Sequence, residues 1–241
     1  MKLFSGRSAL VIGGTGGIGR KCAEELGSRG AFVTVHGGFS PERLESTLES
    51  IRNAGGDADG FLFPVENPEA SEYILTKVPD PDILVCAWGP FLRGALETMT
   101  GSDWSTMVNL NLAFPGSLVS GVLPAMIAKQ WGRILLFGGT GTDTIRGFST
   151  TALYSAAKTG LGVLAKSVAR TASAYSITCN VLCPGLVDTE YSDPAAICYN
   201  HKKNPDHLPL YPEDIARVAC AVLENPSING AVIPADRGLV L

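Results

Sequence analysis

One stretch constrains this chain more than any other. Val11-Ile-Gly-Gly-Thr-Gly-Gly-Ile-Gly19 begins at the end of a short apolar segment and leads into a helical one. Glycine reaches backbone angles closed to other residues and lets a bulky anion approach the chain. A helix that starts just after such a turn offers unpaired N–H groups and the positive end of its dipole. The order Gly13, Gly17, Gly19 is G-x-x-x-G-x-G rather than the commoner G-x-G-x-x-G. Taken alone it fits any tight turn equally well. Its place in the first strand-to-helix turn of a repeating pattern makes it a phosphate-binding turn.

That pattern runs through the chain. Short apolar runs at 8–13, 31–36, 60–65, 82–86, 133–137, 177–182 and 230–234 read as strands. Helical stretches fall at 17–28, 41–54, 102–129, 151–175 and 212–223, with Ser40 as N-cap and Pro41 at the first helical position. Repeated strand–helix units imply an α/β fold: a Rossmann-type, doubly wound parallel sheet of about seven strands, covered by helices on both faces. Right-handed crossovers then place a site at the carboxyl ends of the strands. A polar, proline-containing connection at 190–211 is too long for slack chain and reads as a substrate loop.

With 241 residues, 45% of them hydrophobic and 17% charged, the chain suits one large domain spanning 1–241. A net charge of −4 argues against nucleic acid and anionic membranes as partners. The most weakly charged stretch, 112–130, is broken by Pro115, Gly116, Gly121 and Pro124 and reads as a buried helix rather than a membrane span. Residues 1–20 lack the apolar core and cleavage site of a signal peptide. The six cysteines and three histidines show no metal-ligand spacing. Reduced thiols in a cytoplasmic protein are expected, and no metal.

Further motifs follow in order. They are Trp104 with Asn111 seven residues on, Leu123-Pro-Ala-Met126, Gly132-Arg-Ile134, Tyr154-Ser-Ala-Ala-Lys158, Cys183-Pro-Gly-Leu-Val-Asp-Thr189 and Tyr211-Pro-Glu-Asp-Ile-Ala216. Together with the glycine turn, the chain resembles the short-chain dehydrogenase/reductases over essentially its whole length. The likeness is to their single-domain branch, which includes 3-oxoacyl carrier-protein reductases. The resemblance implies hydride exchange between a nicotinamide cofactor and a carbonyl or alcohol. Tyr154 would give or take the hydroxyl proton. Lys158 would assist it and hold the nicotinamide ribose, and Asn111 would support a water-linked proton relay. Independently of the family, Tyr154 and Lys158 stand four apart and share a helix face. A lysine one turn from a phenol is expected to lower its pKa from about 10 by favouring the phenolate.

Expected cofactor contacts come from the glycine turn (Gly13, Thr15, Gly16, Gly17, Ile18, Gly19), from Val65 at the adenine, and from Ala87, Trp88 and Gly89 after the fourth strand. Pro184, Gly185, Val187 and Thr189 after the sixth strand, with Tyr154 and Lys158, complete the set. The second strand ends in His36-Gly-Gly-Phe-Ser40, with no carboxylate to repel a 2′-phosphate. His36, Gly37, Gly38 and Ser40, with Arg43 further off, therefore favour NADP(H) over NAD(H), and Gly37→Asp is expected to move the preference toward NADH.

The chain departs from the family in places. The family's serine after the fifth strand is absent. Counting forward from Gly132 reaches Gly139, and counting back from Tyr154 reaches Gly141. Thr140, ahead of Thr142, is the expected substitute donor, because either hydroxyl can donate to a carbonyl oxygen. Ile12 and Cys86 replace a polar pair of the family, and apolar packing is expected between them. The substrate pocket is expected between 88–92, 140–148 and 190–211, with Phe91, Phe148, Tyr191 and Tyr199 as its large side chains. A small-molecule carbonyl or alcohol substrate is implied, and a homo-oligomer, tetramer or dimer, through the helices at 102–129 and 151–175. The small face of Gly160, Gly162 and Ala165 could serve that interface or the internal core. The competing class is a weak or inactive cofactor-binding regulatory or scaffold protein of the same fold.

Overall fold

The sheet is built by pairing each strand with one that is not always its neighbour in sequence. In this computed structural model, which describes residues 3–192, 197, 199 and 202–240, the strands are β1 (Ser8–Ile12), β2 (Phe32–Gly37), β3 (Asp57–Leu62), β4 (Ile83–Cys86), β5 (Gly132–Phe137), β6 (Ile177–Pro184) and β7 (Val232–Ala235). They form one seven-stranded sheet in the order β3-β2-β1-β4-β5-β6-β7. Every pairing is parallel. The chain direction across the sheet reverses between β1 and β4, which opens a crevice at their carboxyl ends.

Period-two alternation divides the apolar residues between the faces. Val11, Val33, Val35, Val85 and Leu135 point to one side, where α1 (Gly17–Ser28) and α2 (Pro41–Asn53) bring Leu26 and Ile51. The last helix, α7 (Pro212–Glu224), adds Ile215 and Ala219 there. Leu10, Ile12, Leu84, Ile134 and Leu136 point to the other side. There they meet Ile74 of α3 (Ala70–Lys77), Phe114 and Leu118 of α5 (Phe114–Lys129), and Leu161 of α6 (Ala152–Ala172). Ile12 and Cys86 are register partners in β1 and β4 and are both buried in this second cluster, the apolar exchange expected from sequence.

Three details differ from the sequence reading. β3 starts at Asp57, because as the edge strand it tolerates exposed Asp57 and Asp59 on its outer side. The short α3 was not anticipated: only Ala70, Ser71 and Ile74 of its residues are buried, so its periodicity is weak. The long helix expected at 102–129 is α4 (Gly101–Val108), a π-helical turn (Asn109–Ala113) and α5. Such single π turns concentrate at functional sites. By length and composition alone Gly101–Lys129 could cross a membrane, its most apolar 18-residue window having a mean hydropathy of 1.5. Its apolar side chains Phe114, Leu118, Val122 and Met126 are spent on the core instead.

The small residues of α6 serve the interior. A side chain at Gly160 would press on Leu112 of the π turn at 3.0 Å, one at Gly162 would meet Val232 at 3.1 Å, and Ala165 is fully buried.

Candidate active site

The crevice between β1 and β4 widens into two adjoining cavities, one of about 820 Å³ and one of about 510 Å³. The smaller lies over the glycine turn and is lined by Gly13, Thr15, Gly16, Gly17, Gly38 and Ser40. Gly13 has φ +73°, and a side chain there would come within 2.9 Å of Trp88 Cβ. A side chain at Gly19 would collide with the Gly13 carbonyl, so the turn closes on itself only with glycine at both positions. Ile18, Ala87, Trp88, Gly89 and Thr189 border both cavities. Pro184, Gly185 and Val187 line the larger. The base of the 190–211 loop is pinned there by Asp188 N donating to Leu210 O at 2.8 Å. Residues 193–196, 198, 200 and 201 of that loop lie outside the described residues.

Tyr154 and Lys158 occupy the start of α6, and both open on the larger cavity. A side chain at Gly139 would come within 3.1 Å of the Tyr154 hydroxyl and 2.7 Å of its Cε1. Gly139, not Gly141, is therefore the position facing the phenol. Phe91 packs edge-on against Tyr154, with ring centroids 5.0 Å apart. Asn111 sits in the π turn, wholly buried. Its Nδ2 donates to Pro90 O at 3.0 Å, while its Oδ1 has no protein partner. Asn111 Oδ1 and Lys158 Nζ both approach the spot a Gly89 side chain would fill, Nζ at 3.2 Å, so the two groups share one corner. An unpartnered buried acceptor beside an ammonium is the arrangement a bridging water satisfies.

Burial dominates the electrostatics. It pushes the Tyr154 phenol up to about 12, with the Cys183 thiol adding in the same direction. It pushes the Lys158 ammonium down to about 8. The lowering expected from helix spacing is thus overturned in the chain by itself. Desolvation penalises the phenolate, Nζ stands 5.7 Å from the ring centroid, and the lysine's own charge is weakened. At neutral pH Tyr154 is consequently a protonated donor.

The hydroxyls next to the missing serine are engaged elsewhere. Thr140 lines the larger cavity, but its Oγ1 donates to Pro184 O at 3.1 Å. Thr142 is buried; its Oγ1 accepts from Gly139 N at 2.8 Å and donates to Gly139 O at 2.9 Å. Thr142 ties the turn together rather than facing a substrate.

The structure corrects two expectations at the end of β2. His36 is 1% exposed, and its Nε2 donates to Phe63 O at 2.8 Å. Burial lowers its pKa to about 4, so it is neutral and turned away from any phosphate. Gly37 is closed as well: a side chain there would run into Thr15 and stand 3.0 Å from Leu62, whereas one at Gly38 meets nothing within 4 Å. Gly38, not Gly37, is the open position. Val65 is half-buried against the apolar cluster that holds Ile12 and Phe114.

Two residues that sequence reasoning gave no role at the glycine turn stand over it. Glu190 accepts from Gly17 N at 2.9 Å. Tyr191, expected in the substrate pocket, instead lies against Gly16, and the Arg43 guanidinium stacks 4.7 Å from its ring centroid. The α1 N-terminus therefore already holds an anionic oxygen, which fits it for a phosphate. Only the acidic character of Glu190 hinted at this; nothing in the spacing places it 173 residues downstream on Gly17.

A doubly wound parallel sheet with a glycine turn at its switch point and a Tyr–Lys pair across the crevice defines an oxidoreductase of the Rossmann class. The chain belongs to the short chain dehydrogenase family, whose family model matches residues 7–196. It is 35% identical over 193 residues to the 3-oxoacyl-[acyl-carrier-protein] reductase FabG of Escherichia coli (strain K12), covering 78% of this chain and 76% of that one. It is 29% identical to FabG of Pseudomonas aeruginosa over 250 residues, covering 99% of both. The solved structure of a 3-oxoacyl (acyl-carrier-protein) reductase from Agrobacterium tumefaciens C58 with NADP bound superposes at TM-score 0.90, with 27% identity, over 98% of this chain and 95% of that one.

Proposed function

We propose that the protein reduces a carbonyl compound, or oxidises the matching secondary alcohol, by hydride exchange with NADP(H). The observation that carries this reading is the placement of the Tyr154 hydroxyl on the larger cavity, with Lys158 one turn behind it and the glycine turn next door. Bound nicotinamide supplies the hydride. Tyr154, held neutral by burial, donates its proton to the carbonyl oxygen. Lys158 stabilises the phenolate left behind, and Asn111 Oδ1 anchors a water that returns a proton through the Lys158 ammonium. With glycine at 139, the position facing the phenol carries no side chain, so the substrate oxygen relies on Tyr154 and backbone groups of the 139–142 turn. Tyr154 and Lys158 both open on the cavity, which favours an enzyme over a cofactor-binding scaffold.

NADP(H) is favoured because the carboxyl end of β2 presents no acid. Gly38 leaves space, and Ser40 and Arg43 border the cavity there. The NADP-bound neighbour supports the same choice. We place the protein in the cytoplasm, where the buried free thiols of Cys22, Cys86, Cys179, Cys183 and Cys220 stay reduced. A homo-oligomer is expected, and light scattering of the purified protein would establish its order. Loss of NADPH absorbance on a panel of ketones and 3-oxoacyl thioesters tests the activity. Absence of turnover on every member, with NADPH still bound, would overturn the reading.

A further inference from the structure

We propose that the substrate is a carbonyl compound bearing an anionic group, carboxylate or phosphate, which Arg93 and Arg146 receive at the mouth of the larger cavity. This deepens the reductase reading and rests on it. The charged side chains lining that cavity are Arg93, Arg146 and Lys158; no aspartate or glutamate lines it among the described residues. Lys158 is buried beside Tyr154, whereas the two arginines are exposed at the rim.

Neither arginine has a hydrogen-bond or ion-pair partner among the described residues. Several other guanidinium groups are used internally: Arg20 on Glu24, Arg52 on the Ala58 carbonyl, Arg133 on the Leu223 carbonyl, Arg237 on Asp206. Asp143, the acid nearest to Arg146 in sequence, acts inward on the Cys183 thiol and makes no ion pair with it. Both guanidinium groups line one cavity whose described lining holds no carboxylate, so its rim carries uncompensated positive charge that an anion would offset. Arginine also suits planar or tetrahedral oxyanions, which it can grip with two parallel N–H donors.

Both side chains are set on anchored backbone. Gly94 N donates to Thr150 O at 2.8 Å, which ties the Arg93 segment to the wall that carries Arg146. Arg146 lies along the 139–142 turn, with Nη1 and Cδ 3.2 and 3.4 Å from the point a Gly141 side chain would occupy. The opposite end of that turn is Gly139, which faces the Tyr154 hydroxyl. One rigid turn thus connects the proton donor to the cationic rim. Phe91 and Phe148 line the space around it. A substrate that matches has its carbonyl at Tyr154, an apolar spacer along the phenyl rings, and its anion outside.

The test compares kcat/KM with NADPH for charged and neutral partners of one skeleton. Oxo acids of increasing chain length are paired with their methyl esters, and a phosphorylated hydroxyketone with its parent, in wild type, Arg93→Gln, Arg146→Gln and the double variant. A charge-assisted hydrogen bond contributes about 1.5–3 kcal/mol, so the wild type should favour the anion roughly 10- to 100-fold. The ratio should fall towards one in the double variant, through KM rather than kcat, and should shrink with added salt. The carboxylate and phosphate arms distinguish the two anion sources. Wild-type turnover of neutral ketones at equal or better efficiency, or an anion preference that survives the double substitution, overturns this inference while leaving the reductase reading standing. Failure to turn over any carbonyl while binding NADPH overturns both.

Discussion

Adding one carbon at Gly139 should disable the enzyme without unfolding it. An alanine Cβ there would stand 2.7 Å from Tyr154 Cε1, where ordinary contact begins at 3.4 Å. The shortfall is about 0.7 Å, and the ring is the part that can give. The backbone of the turn is held at both ends by Thr142, and Phe91, on the ring's edge, is 59% exposed and free to move aside. Fold stability should therefore change little. The hydroxyl, however, moves with the ring. A misplacement of about 1 Å can cost about 100-fold in rate, so Gly139→Ala should lower kcat by roughly 10- to 100-fold. NADPH affinity, measured by fluorescence titration, should stay near wild type. Gly139→Ser suffers the same contact but brings a hydroxyl, so it should fall between alanine and wild type. Gly116→Ala, where a side chain meets nothing within 4 Å, is the matched control. Wild-type kcat in Gly139→Ala would refute the claim that this gap sets the position of the proton donor.

Three further outcomes follow from the cofactor end and the core. Gly38→Asp should shift the preference from NADPH towards NADH in equilibrium titrations, because the position is open, whereas Gly37→Asp should lower thermal stability by colliding with Thr15; an unchanged preference in Gly38→Asp would count against Gly38 as the discriminating position. Glu190→Gln should tighten NADPH binding by removing a carboxylate that competes for Gly17 N, and weaker binding would show that the contact is supportive instead. His36, lowered from 6.5 to about 4 by burial, binds more protons in the unfolded chain between those values, so its stabilisation is complete above pH 6.5 and is lost as pH falls towards 4. Urea unfolding should register a loss of about 2 kcal/mol between pH 7 and pH 5 that His36→Gln does not show.

Much of this was legible in the sequence because the signals are local. The glycine turn, the Ser40 cap ahead of Pro41 and the four-residue spacing of Tyr154 and Lys158 each depend on residues a few positions apart. The strand interiors were readable because parallel strands are buried on both faces and so appear as apolar runs. The edge strand β3 was misplaced because its outward aspartates break that run. The π turn was invisible because a single i→i+5 turn changes no periodicity over a stretch of five residues. The errors at the site all concern direction and long-range contact. His36 sits at the expected end of β2, but its ring turns inward to Phe63. Gly37 reads as empty space until Thr15 is folded over it. Glu190 meets Gly17 only through the tertiary fold. The phenol's pKa went the other way because spacing reveals a neighbouring charge but not the desolvation that opposes it.

The central claim is that Tyr154 delivers the proton during NADPH-dependent carbonyl reduction. It is tested most directly by measuring single-turnover NADPH oxidation with Tyr154→Phe beside wild type, on any carbonyl the wild type accepts, after titrating both with NADPH. The account predicts near-normal NADPH binding and a rate lower by roughly 100-fold or more, as expected for loss of a positioned proton donor. A Tyr154→Phe enzyme that binds NADPH and retains most of the wild-type rate would contradict it.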